Sequence, residues 1–367
     1  MRETLSEKFA GFAFVVAIAA LVSLRAFSAT VSAGPRTEMI INYGGDGWKR
    51  HQVQEPCILA NPKNRTKLIM FFAAAMKPGG GAGSIGTAWA DVAEPFAWHE
   101  SASNPVMKSE PGNVFAEEAY IRLDAVIYHE ALDEYWIYYT GNGTPGQRDA
   151  IGLATCPAGV DGFSEVIPAK IKRHPGNPIL SPKGQGRDDE TCVSQGAVLR
   201  ENGLWYSLYS YRTETQTLPG IRLAVSSDGK EWSKIPGPDL LSAAPESHYI
   251  EWHQLLKIGD RYVLLFEAYN GGTRWRANVA TSARLAAGWK KAPATLIDQT
   301  VWPRYSDDTM FHVATPALYE IDGKWLLYFQ AARAGFYIRQ NWALWGIESD
   351  DAVERIRRFA ALADRGP

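Results

Sequence analysis

The strongest chemical signal in this sequence is a set of carboxylates placed at matching distances from aromatic residues. Asp124 lies eleven residues before Tyr135, and Glu251 lies eleven residues before Tyr262. A further carboxylate, Glu55, stands at the start of another apolar stretch. Carboxyl groups that meet at one site can protonate a leaving oxygen, attack a carbon atom or activate a water molecule. The spacing therefore predicts acid/base chemistry, provided that the fold brings these side chains together.

Five repeated units position these residues. Each unit reads as a strand, a polar turn and an aromatic strand, and most are followed by a third strand, a turn and an aromatic residue that opens a fourth. Four strands per unit, at a period of roughly 60 to 70 residues, are typical of β-propeller blades. The five strand pairs are "EPCILANPKNRTKLIMFFA", "DAVIYHEALDEYWIYYTG", "SQGAVLRENGLWYSLYSY", "EWHQLLKIGDRYVLLFEA" and "TPALYEIDGKWLLYFQA".

The repeats predict a single all-β domain, a five-bladed β-propeller, over residues 35–350. The stretch "TEMIINY" at residues 37–43 has no nearby hairpin partner, and the last unit lacks a good fourth strand. We expect residues 37–43 to complete the last blade, because closing the ring removes exposed sheet edges. The tail, residues 351–367, has helical spacing and is predicted to form a C-terminal helix outside the propeller.

Residues 1–34 differ from the rest of the chain. A continuous apolar run, "FAGFAFVVAIAALVSL", occupies residues 9–24 and leads into small residues before Gly34. The run is short for a membrane-spanning helix, whereas its length and the small residues suit a signal peptide. We expect a signal peptide or a membrane anchor, and hence a secreted or periplasmic protein that contacts a membrane only if this segment is not cleaved.

Charge and cysteine content exclude several classes of partner. The formal net charge is -2, with basic and acidic residues mixed along the chain, so no basic patch predicts nucleic-acid binding. Three cysteines are too few for a disulfide scaffold and have no metal-binding spacing. No cofactor and no metal are expected. The 13 Trp, 16 Tyr and 14 Phe residues suit short strands and also offer flat surfaces for sugars.

The inner strands of a propeller line its central channel, so their first residues should surround one channel mouth. Glu55, Asp124 and Glu251 are predicted to converge there. Acidic residues at strand starts are also common as solvated loop residues. Their shared register nevertheless favours one site, and glycoside hydrolysis is a reaction that uses several neighbouring carboxyl groups.

The chain resembles the five-bladed β-propeller glycoside hydrolases, the clan of arabinanases, β-xylosidases and invertases, as a divergent member. Three features carry the resemblance: "EPCIL" in the place of an Asp-Pro start, "EWHQLLK" in the place of a Glu-x-x-His strand, and the turns "SNPVM" and "GNPIL". The resemblance implies that Glu251 is the general acid and Glu55 the base or nucleophile. The family's Asp on the third inner strand is missing, because "VSQGAV" has Ser194 and Gln195 there; Asp124, Asp188 or Asp189 could replace it.

Other polar and aromatic residues are candidates for substrate contacts. His312 lies near the start of the fifth inner strand, where it is equally suited to the core and to a substrate contact. Arginine combined with tryptophan in "TRWRAN" and "WPRY" suits sugar hydroxyls or an acidic sugar. The predicted substrate-binding residues are His312, Trp252, Arg274, Trp302 and Gln195, and Arg304 is a further candidate.

The sequence thus predicts a glycosidase acting on an oligo- or polysaccharide of plant or microbial origin. Two alternatives stay open. A phosphorylase of the same fold would use Arg274, Arg276 and Arg304 at the channel mouth, and a non-catalytic glycan-binding propeller would explain the missing carboxylate of the third blade.

Overall fold

The computed structural model describes ten stretches of the chain. They are residues 37–44, 47–76, 83–110, 120–142, 149–243, 247–270, 274–298, 301, 311–333 and 343–364. Within them, the strands form five antiparallel sheets, which are the blades of a propeller. The predicted all-β class and five-bladed architecture are therefore confirmed. Residues 1–36, which include the predicted leader, lie outside the described residues.

Each blade starts with a long hairpin. Blade one contains β2 (Gln52–Ala60), β3 (Lys67–Ala75), β4 (Gly83–Asp91), β5 (His99–Glu100) and β6 (Met107–Lys108). Blade two contains β7 (Tyr120–His129), β8 (Glu134–Asn142), β9 (Ala150–Pro157) and β10 (Lys172–Arg173). Blade three contains β11 (Cys192–Glu201), β12 (Leu204–Arg212), β13 (Thr217–Ser226), β14 (Ser233–Lys234) and β15 (Leu241–Ser242). Short 3-10 helices lie at Glu130–Leu132 and Pro168–Lys170.

The last two blades differ in how they are completed. Blade four contains β16 (Ser247–Ile258), β17 (Arg261–Asn270), β18 (Arg274–Ser282) and β19 (Lys290–Lys291). Blade five contains β20 (Phe311–Ile321), β21 (Lys324–Arg333), β22 (Ala343–Glu348) and, as its outer strand, β1 (Thr37–Ile41). Strand β1 runs antiparallel to β22. The prediction that the first strand completes the last blade is confirmed, and the pairing gives β22 a partner on both edges.

The first strand of each blade lies nearest the channel. These strands, β2, β7, β11, β16 and β20, contact one another in turn and close a ring. The hydrophobic core lies between neighbouring blades: one cluster joins Phe71 of blade one with Tyr135 and Tyr139 of blade two, and another joins Leu264 and Phe266 of blade four with Leu208 of blade three. Aromatic residues in the second strands fill these wedge-shaped spaces, as the repeated pattern predicts.

All five inner strands carry a β-bulge near the same level. In each case one extra residue of the inner strand stands opposite its partner, between Gln54 and Cys57, Leu123 and Ala125, Ser194 and Ala197, Glu251 and His253, and Ala314 and Ala317. Bulges turn side chains out of the regular alternation and are common beside functional sites. Three bulge residues have a left-handed backbone, with φ of 58° at Glu55, 53° at Gln195 and 45° at Thr315.

A single helix follows the last blade. This helix, α1 (Asp350–Asp364), begins with two aspartates, which suit the positive end of the helix dipole. Ala352, Val353 and Ile356 are buried in the core cluster of blades four and five. The predicted C-terminal helix is confirmed, and it packs on the propeller. No helix within the described stretches is long and apolar enough to span a membrane.

Candidate functional site

Polar residues occur at the same height in several blades, where the inner strand pairs with the second strand just before the bulge. We call this height the polar level. In blades two to five, the second-strand residue at this level comes five positions after the aromatic residue near the start of that strand, and it pairs with a residue of the inner strand. These four residues are polar and buried: Thr140, Ser210, Glu267 and Gln330. Their inner-strand partners are Arg122, Ser194, Glu251 and Ala314. Buried polar side chains need partners, so this level must contain a hydrogen-bonded network.

The residue that occupies the level of Glu251 in blade two is Arg122, and not Asp124 as counting along the sequence predicts. Glu251 pairs with Glu267, and Arg122 pairs with Thr140. The 3-10 turn Glu130–Leu132 lengthens the hairpin of blade two by comparison with blades three to five. Counting eleven residues back from Tyr135 therefore reaches Asp124, inside the bulge, two positions after Arg122.

Arg122 joins two of the predicted carboxylates. Its Nε donates a hydrogen bond to Oε1 of Glu55 at 2.6 Å, and its Nη1 lies 3.5 Å from Oε2 of Glu251. Burial disfavours the charged guanidinium, but the charges of Glu55 and Glu251 raise the pKa of Arg122 well above its usual value. The structure therefore brings blades one, two and four together through one arginine.

Glu55 is the enclosed member of this group. Its side chain has 0% exposure, and it also accepts the backbone N–H of Leu123 at 2.9 Å. Burial raises the pKa of Glu55, while Arg122 and the Leu123 N–H act in the opposite direction. Glu251 differs, because 15% of its side chain is exposed. Of these two glutamates, Glu251 is the one that a molecule in the channel can reach.

Glu251 faces a second carboxyl group within its own blade. Glu267 is its direct cross-strand partner and is 4% exposed. Side chains at directly opposed positions of an antiparallel pair lie side by side. Burial, followed by the charge of Glu251, raises the pKa of Glu267 to about 8. One oxygen of Glu267 accepts the backbone N–H of Thr315 in blade five at 2.8 Å.

Asp124 lies in the bulge of blade two. It is 3% exposed, and it accepts hydrogen bonds from the hydroxyl of Thr140 at 2.9 Å and from the backbone N–H of Gly196 at 3.2 Å. Burial raises the pKa of Asp124 to about 8, with a smaller contribution in the same direction from the charge of Glu55. Asp124 is thus close enough to interact electrostatically with Glu55, but its hydrogen bonds go to Thr140 of its own blade and to Gly196 of blade three.

Hydrogen bonds at this level connect every neighbouring pair of blades. We call this set the interblade belt. Each junction joins a side chain of one blade to the backbone of the next or, between blades five and one, a backbone N–H to a side-chain hydroxyl. Its bonds link Glu55 to Leu123, Asp124 to Gly196, Ser210 to Ile250, Glu267 to Thr315, and Glu55 to Thr315. Three of the five side chains in the belt are carboxyl groups.

A row of aromatic side chains extends from the acid pair of blade four. Tyr249 and Tyr269 stand two residues from Glu251 and Glu267, respectively. Tyr269 lies in a regular stretch of β17 and shares the face of Glu267, whereas Tyr249 lies in a second bulge of β16. The ring centroids of Tyr249 and Tyr269 are 6.2 Å apart, and those of Tyr269 and Trp275 are 5.3 Å apart. All three rings are partly exposed, so this row offers apolar surface beside the carboxyl groups.

The remaining predicted residues are distributed more widely. Asp189 forms an ion pair with Arg222 in blade three at 2.7 Å, within a network that includes Glu190 and Asp239. Gln195 is buried in the third bulge, where its N–H donates to Thr140 at 2.8 Å. His312 is buried, and its Nδ1 accepts the backbone N–H of Trp275 at 3.1 Å.

Three predicted substrate-binding residues have no described side chain. Trp252 and Arg274 lie in β16 and β18, but only their backbones are described. Trp302 lies outside the described residues, as does Arg304. Within the part of the chain that the structure describes, no cluster of His, Cys, Asp and Glu side chains is arranged to hold a metal ion.

Arg122 and Glu267 are absent from the residues predicted from sequence. The signal for Glu267 is a lone carboxylate within "YVLLFEAYN", a strand that is otherwise apolar. Aligning it with Thr140, Ser210 and Gln330, each five residues after an aromatic residue, would mark it as one of a ring of buried polar residues. Arg122 carries a similar signal, because it is the charged residue of "YIRLDAVIYH" that precedes Asp124.

Comparison with solved structures shows which proteins share this fold. A structure described as a glycoside hydrolase has a TM-score of 0.59 and 15% identity, covering 84% of this chain and 90% of that protein. The α-L-arabinofuranosidase from Lactobacillus brevis has a TM-score of 0.57 and 13% identity, covering 82% and 92%. The endo-arabinase from Bacteroides thetaiotaomicron has a TM-score of 0.54 and 12% identity, covering 86% and 99%.

The chain has the five-bladed β-propeller fold of these glycoside hydrolases, as the sequence resemblance predicts. No protein-family model and no curated protein sequence matches the chain. Because a fold can host unrelated activities, the function has to be argued from the site itself.

Proposed function

We propose that this protein is a glycoside hydrolase that cleaves a glycosidic bond in a plant or microbial glycan. The observation that carries the proposal is the acid pair of blade four: an accessible carboxyl group, Glu251, directly opposite a buried carboxyl group, Glu267. Glycoside hydrolysis needs a carboxyl group that gives a proton to the leaving oxygen, and a second carboxyl group nearby can regulate that proton. Glu251 is the proton donor in this proposal.

Arg122 and Glu55 complete the reaction centre. Arg122 is 22% exposed beside Glu251, so its guanidinium is placed to bind sugar hydroxyls, while Glu55 holds it from behind. The resemblance implies that Glu55 is the base or nucleophile. For that role its enclosed carboxylate must reach the substrate, and Arg122 is the neighbouring group that has to shift.

The aromatic row supports a carbohydrate as substrate. The rings of Tyr249, Tyr269 and Trp275 provide flat, partly exposed surfaces next to the acid pair. Aromatic rings of this kind can stack on the apolar face of a sugar. Solved structures with the same fold include an arabinofuranosidase and an endo-arabinase, which makes arabinose-containing glycans the first substrates to test.

A glycan-binding propeller without catalysis is the second candidate. The observation in its favour is the complete burial of Glu55, which leaves Glu251 as the accessible carboxyl group beside Arg122. In that case Arg122 and the aromatic row would bind a sugar polymer, and no bond would be cleaved.

A substrate screen distinguishes the two candidates. The full-length protein is incubated with arabinan, xylan and a panel of 4-nitrophenyl glycosides, with and without inorganic phosphate, and the products are identified. We expect hydrolysis of at least one substrate without phosphate, and hydrolysis of the polysaccharides by Glu251→Gln that is at least about 100-fold slower. Binding without turnover identifies a glycan-binding protein, and turnover that depends on phosphate identifies a phosphorylase. The lack of both binding and turnover contradicts the proposal.

A further inference from the structure

Glu267 has no counterpart among the residues that the sequence or the family resemblance assigns to catalysis. We propose that Glu267 is a positioning residue that stores, behind the accessible carboxyl group of Glu251, the proton that Glu251 delivers. The two glutamates then hold one proton between them within blade four. This inference rests on the proposed function, because it concerns the same proton donor.

The geometry of blade four places the two carboxyl groups together but in different surroundings. Glu251 and Glu267 are direct partners across β16 and β17. The side chain of Glu251 is 15% exposed, whereas Glu267 is 4% exposed and accepts the backbone N–H of Thr315 in blade five. A proton held between them is therefore accessible to a substrate from one side and shielded from bulk water on the other.

The charges around the pair favour one shared proton. Two ionised carboxylates at opposed positions repel each other. Among the described residues, the cation within 4 Å of Glu251 is Arg122, at 3.5 Å, and its shorter contact, at 2.6 Å, is to Glu55. A proton bound by the pair neutralises one of the two glutamates and removes their repulsion. Burial and the charge of Glu251 act in the same direction on the pKa of Glu267.

The interblade belt fixes the position of Glu267 in both protonation states. The N–H of Thr315 donates to Oε2 of Glu267 at 2.8 Å, from a bulge residue with a φ of 45°. The hydroxyl of Thr315 in turn contacts Gln330 at 3.2 Å and accepts the N–H of Glu55 at 3.4 Å. A backbone N–H stabilises a carboxylate as well as a carbonyl oxygen. Glu267 can therefore lose and regain a proton without changing its partners.

The proposed proton transfer balances. The glycosidic C–O bond breaks with its electron pair on the leaving oxygen, and that oxygen takes the proton of the Glu251–Glu267 pair. Water adds its hydroxyl group to the anomeric carbon, and its remaining proton returns to the pair through solvent. The pair ends the cycle with one proton, as it began.

The first test measures protonation without any substrate. Infrared difference spectra of the full-length protein, recorded from pH 6 to about pH 10, report protonated carboxylic acids by their C=O stretch. We expect a band that disappears around pH 8 in the wild type and loses intensity in Glu267→Gln. The glutamine keeps a carbonyl oxygen for the Thr315 N–H, so the fold is retained, as the melting temperature verifies. An unchanged band in Glu267→Gln overturns the inference.

The second test measures the pH dependence of activity on arabinan and on 4-nitrophenyl α-L-arabinofuranoside, or on the polysaccharide and aryl glycoside cleaved in the screen. In Glu267→Gln we expect the alkaline limb of kcat/KM to move down by about one pH unit or more, with a roughly tenfold or larger loss of kcat on the polysaccharide at pH 7.5. The aryl glycoside should be less affected, because its leaving group needs little protonation.

Ser210→Ala is the matched control. Ser210 occupies the same level of blade three and also forms a belt bond, from its hydroxyl to the carbonyl of Ile250 at 2.8 Å. We expect this variant to keep the pH limb of the wild type. If Ser210→Ala moves the limb as much as Glu267→Gln does, the effect is structural and the inference is wrong. If Glu251→Gln stays fully active, the proposed function fails. If Glu251→Gln loses activity while Glu267→Gln behaves like the wild type, the proposed function stands and this inference fails.

Discussion

Blades two and four each bury a carboxyl group whose pKa is about 8, but the two groups differ in what surrounds them. Asp124 in blade two accepts hydrogen bonds from the hydroxyl of Thr140 in its own blade and from the backbone N–H of Gly196 in blade three. Glu267 in blade four stands opposite Glu251, a carboxyl group with exposed surface. Burial is the largest cause of the raised pKa of both groups, but only Glu267 has an accessible carboxyl group opposite it through which its proton can take part in a reaction.

The largest expected effect is on catalysis by blade four. Glu251→Gln keeps the side-chain shape and removes the ability to donate a proton. We expect hydrolysis of polysaccharides to fall by about 10²- to 10⁴-fold, with much smaller losses on activated aryl glycosides. Steady-state kinetics on both substrate types measure this contrast. Full activity of Glu251→Gln would remove blade four from the reaction.

The next effect concerns the arginine between the two blades. Arg122→Met leaves Glu55 buried without its cationic partner, and breaking a buried ion pair costs about 3–5 kcal/mol. We expect a loss of unfolding free energy of that size in urea denaturation at pH 7. The double variant Arg122→Met, Glu55→Gln removes the stranded charge and should recover most of the loss. Equal stability of the single and double variants would show that Arg122 does not stabilise Glu55.

A smaller effect of opposite sign is expected in blade two. The pKa of Asp124 rises from 3.8 to about 8 on folding, so the folded state holds a proton that the unfolded chain releases between these values. This group therefore makes wild-type stability fall as the pH rises from about 4 to 8. Asp124→Asn keeps the acceptor oxygen and removes the buried charge.

We expect Asp124→Asn to raise the unfolding free energy by about 1–3 kcal/mol at pH 8 and by little at pH 4. Denaturation curves at the two pH values provide the measurement. Activity should fall less than in Glu267→Gln, because Asp124 has no exposed acid opposite it. A greater loss of activity in Asp124→Asn would reverse the comparison between the two blades.

The smallest effect is expected at Asp189, outside both blades. The hydrogen bond from Arg222 lowers the pKa of Asp189, so the pair stabilises the fold above the unfolded pKa and loses this contribution as the pH falls through the folded one. Half of the Asp189 side chain is exposed, at 51%, and solvent screens such pairs. Asp189→Asn should cost less than about 1 kcal/mol at pH 7 and leave kcat near the wild-type value. A large loss of kcat would indicate that Asp189 replaces the carboxyl group that is missing from the third inner strand.

The repeated units made the fold predictable from sequence, but the level that each carboxylate occupies along its inner strand was only partly predictable. The aromatic second strands and polar turns mark all five blades, and the unpartnered strand at residues 37–43 indicates closure. Counting from the turns fails for Asp124, because the turn at Glu130–Leu132 is longer than those of blades three to five. Bulges add a second shift that apolar periodicity does not reveal.

The residues missed in the site were hidden for a different physical reason. Glu267 lies in a second strand, where the pattern predicts core packing. Its proposed role depends on its cross-strand partner Glu251, which only the pairing register identifies. Arg122 becomes significant only when the closed ring brings residues of blades one, two and four together. Contacts between blades depend on ring closure, which a local pattern of strands and turns does not encode.

The pairing of the first strand with the last blade has a consequence for biosynthesis. Thr37 pairs with Ile347 across β1 and β22, so one of the earliest strands to be synthesised needs one of the last as its partner. Contacts so distant in sequence form slowly, and an exposed strand edge can pair with another polypeptide meanwhile. The ribosome must therefore deliver all five blades before the ring can close, and a chaperone that shields β1 during this interval would increase the yield of folded protein.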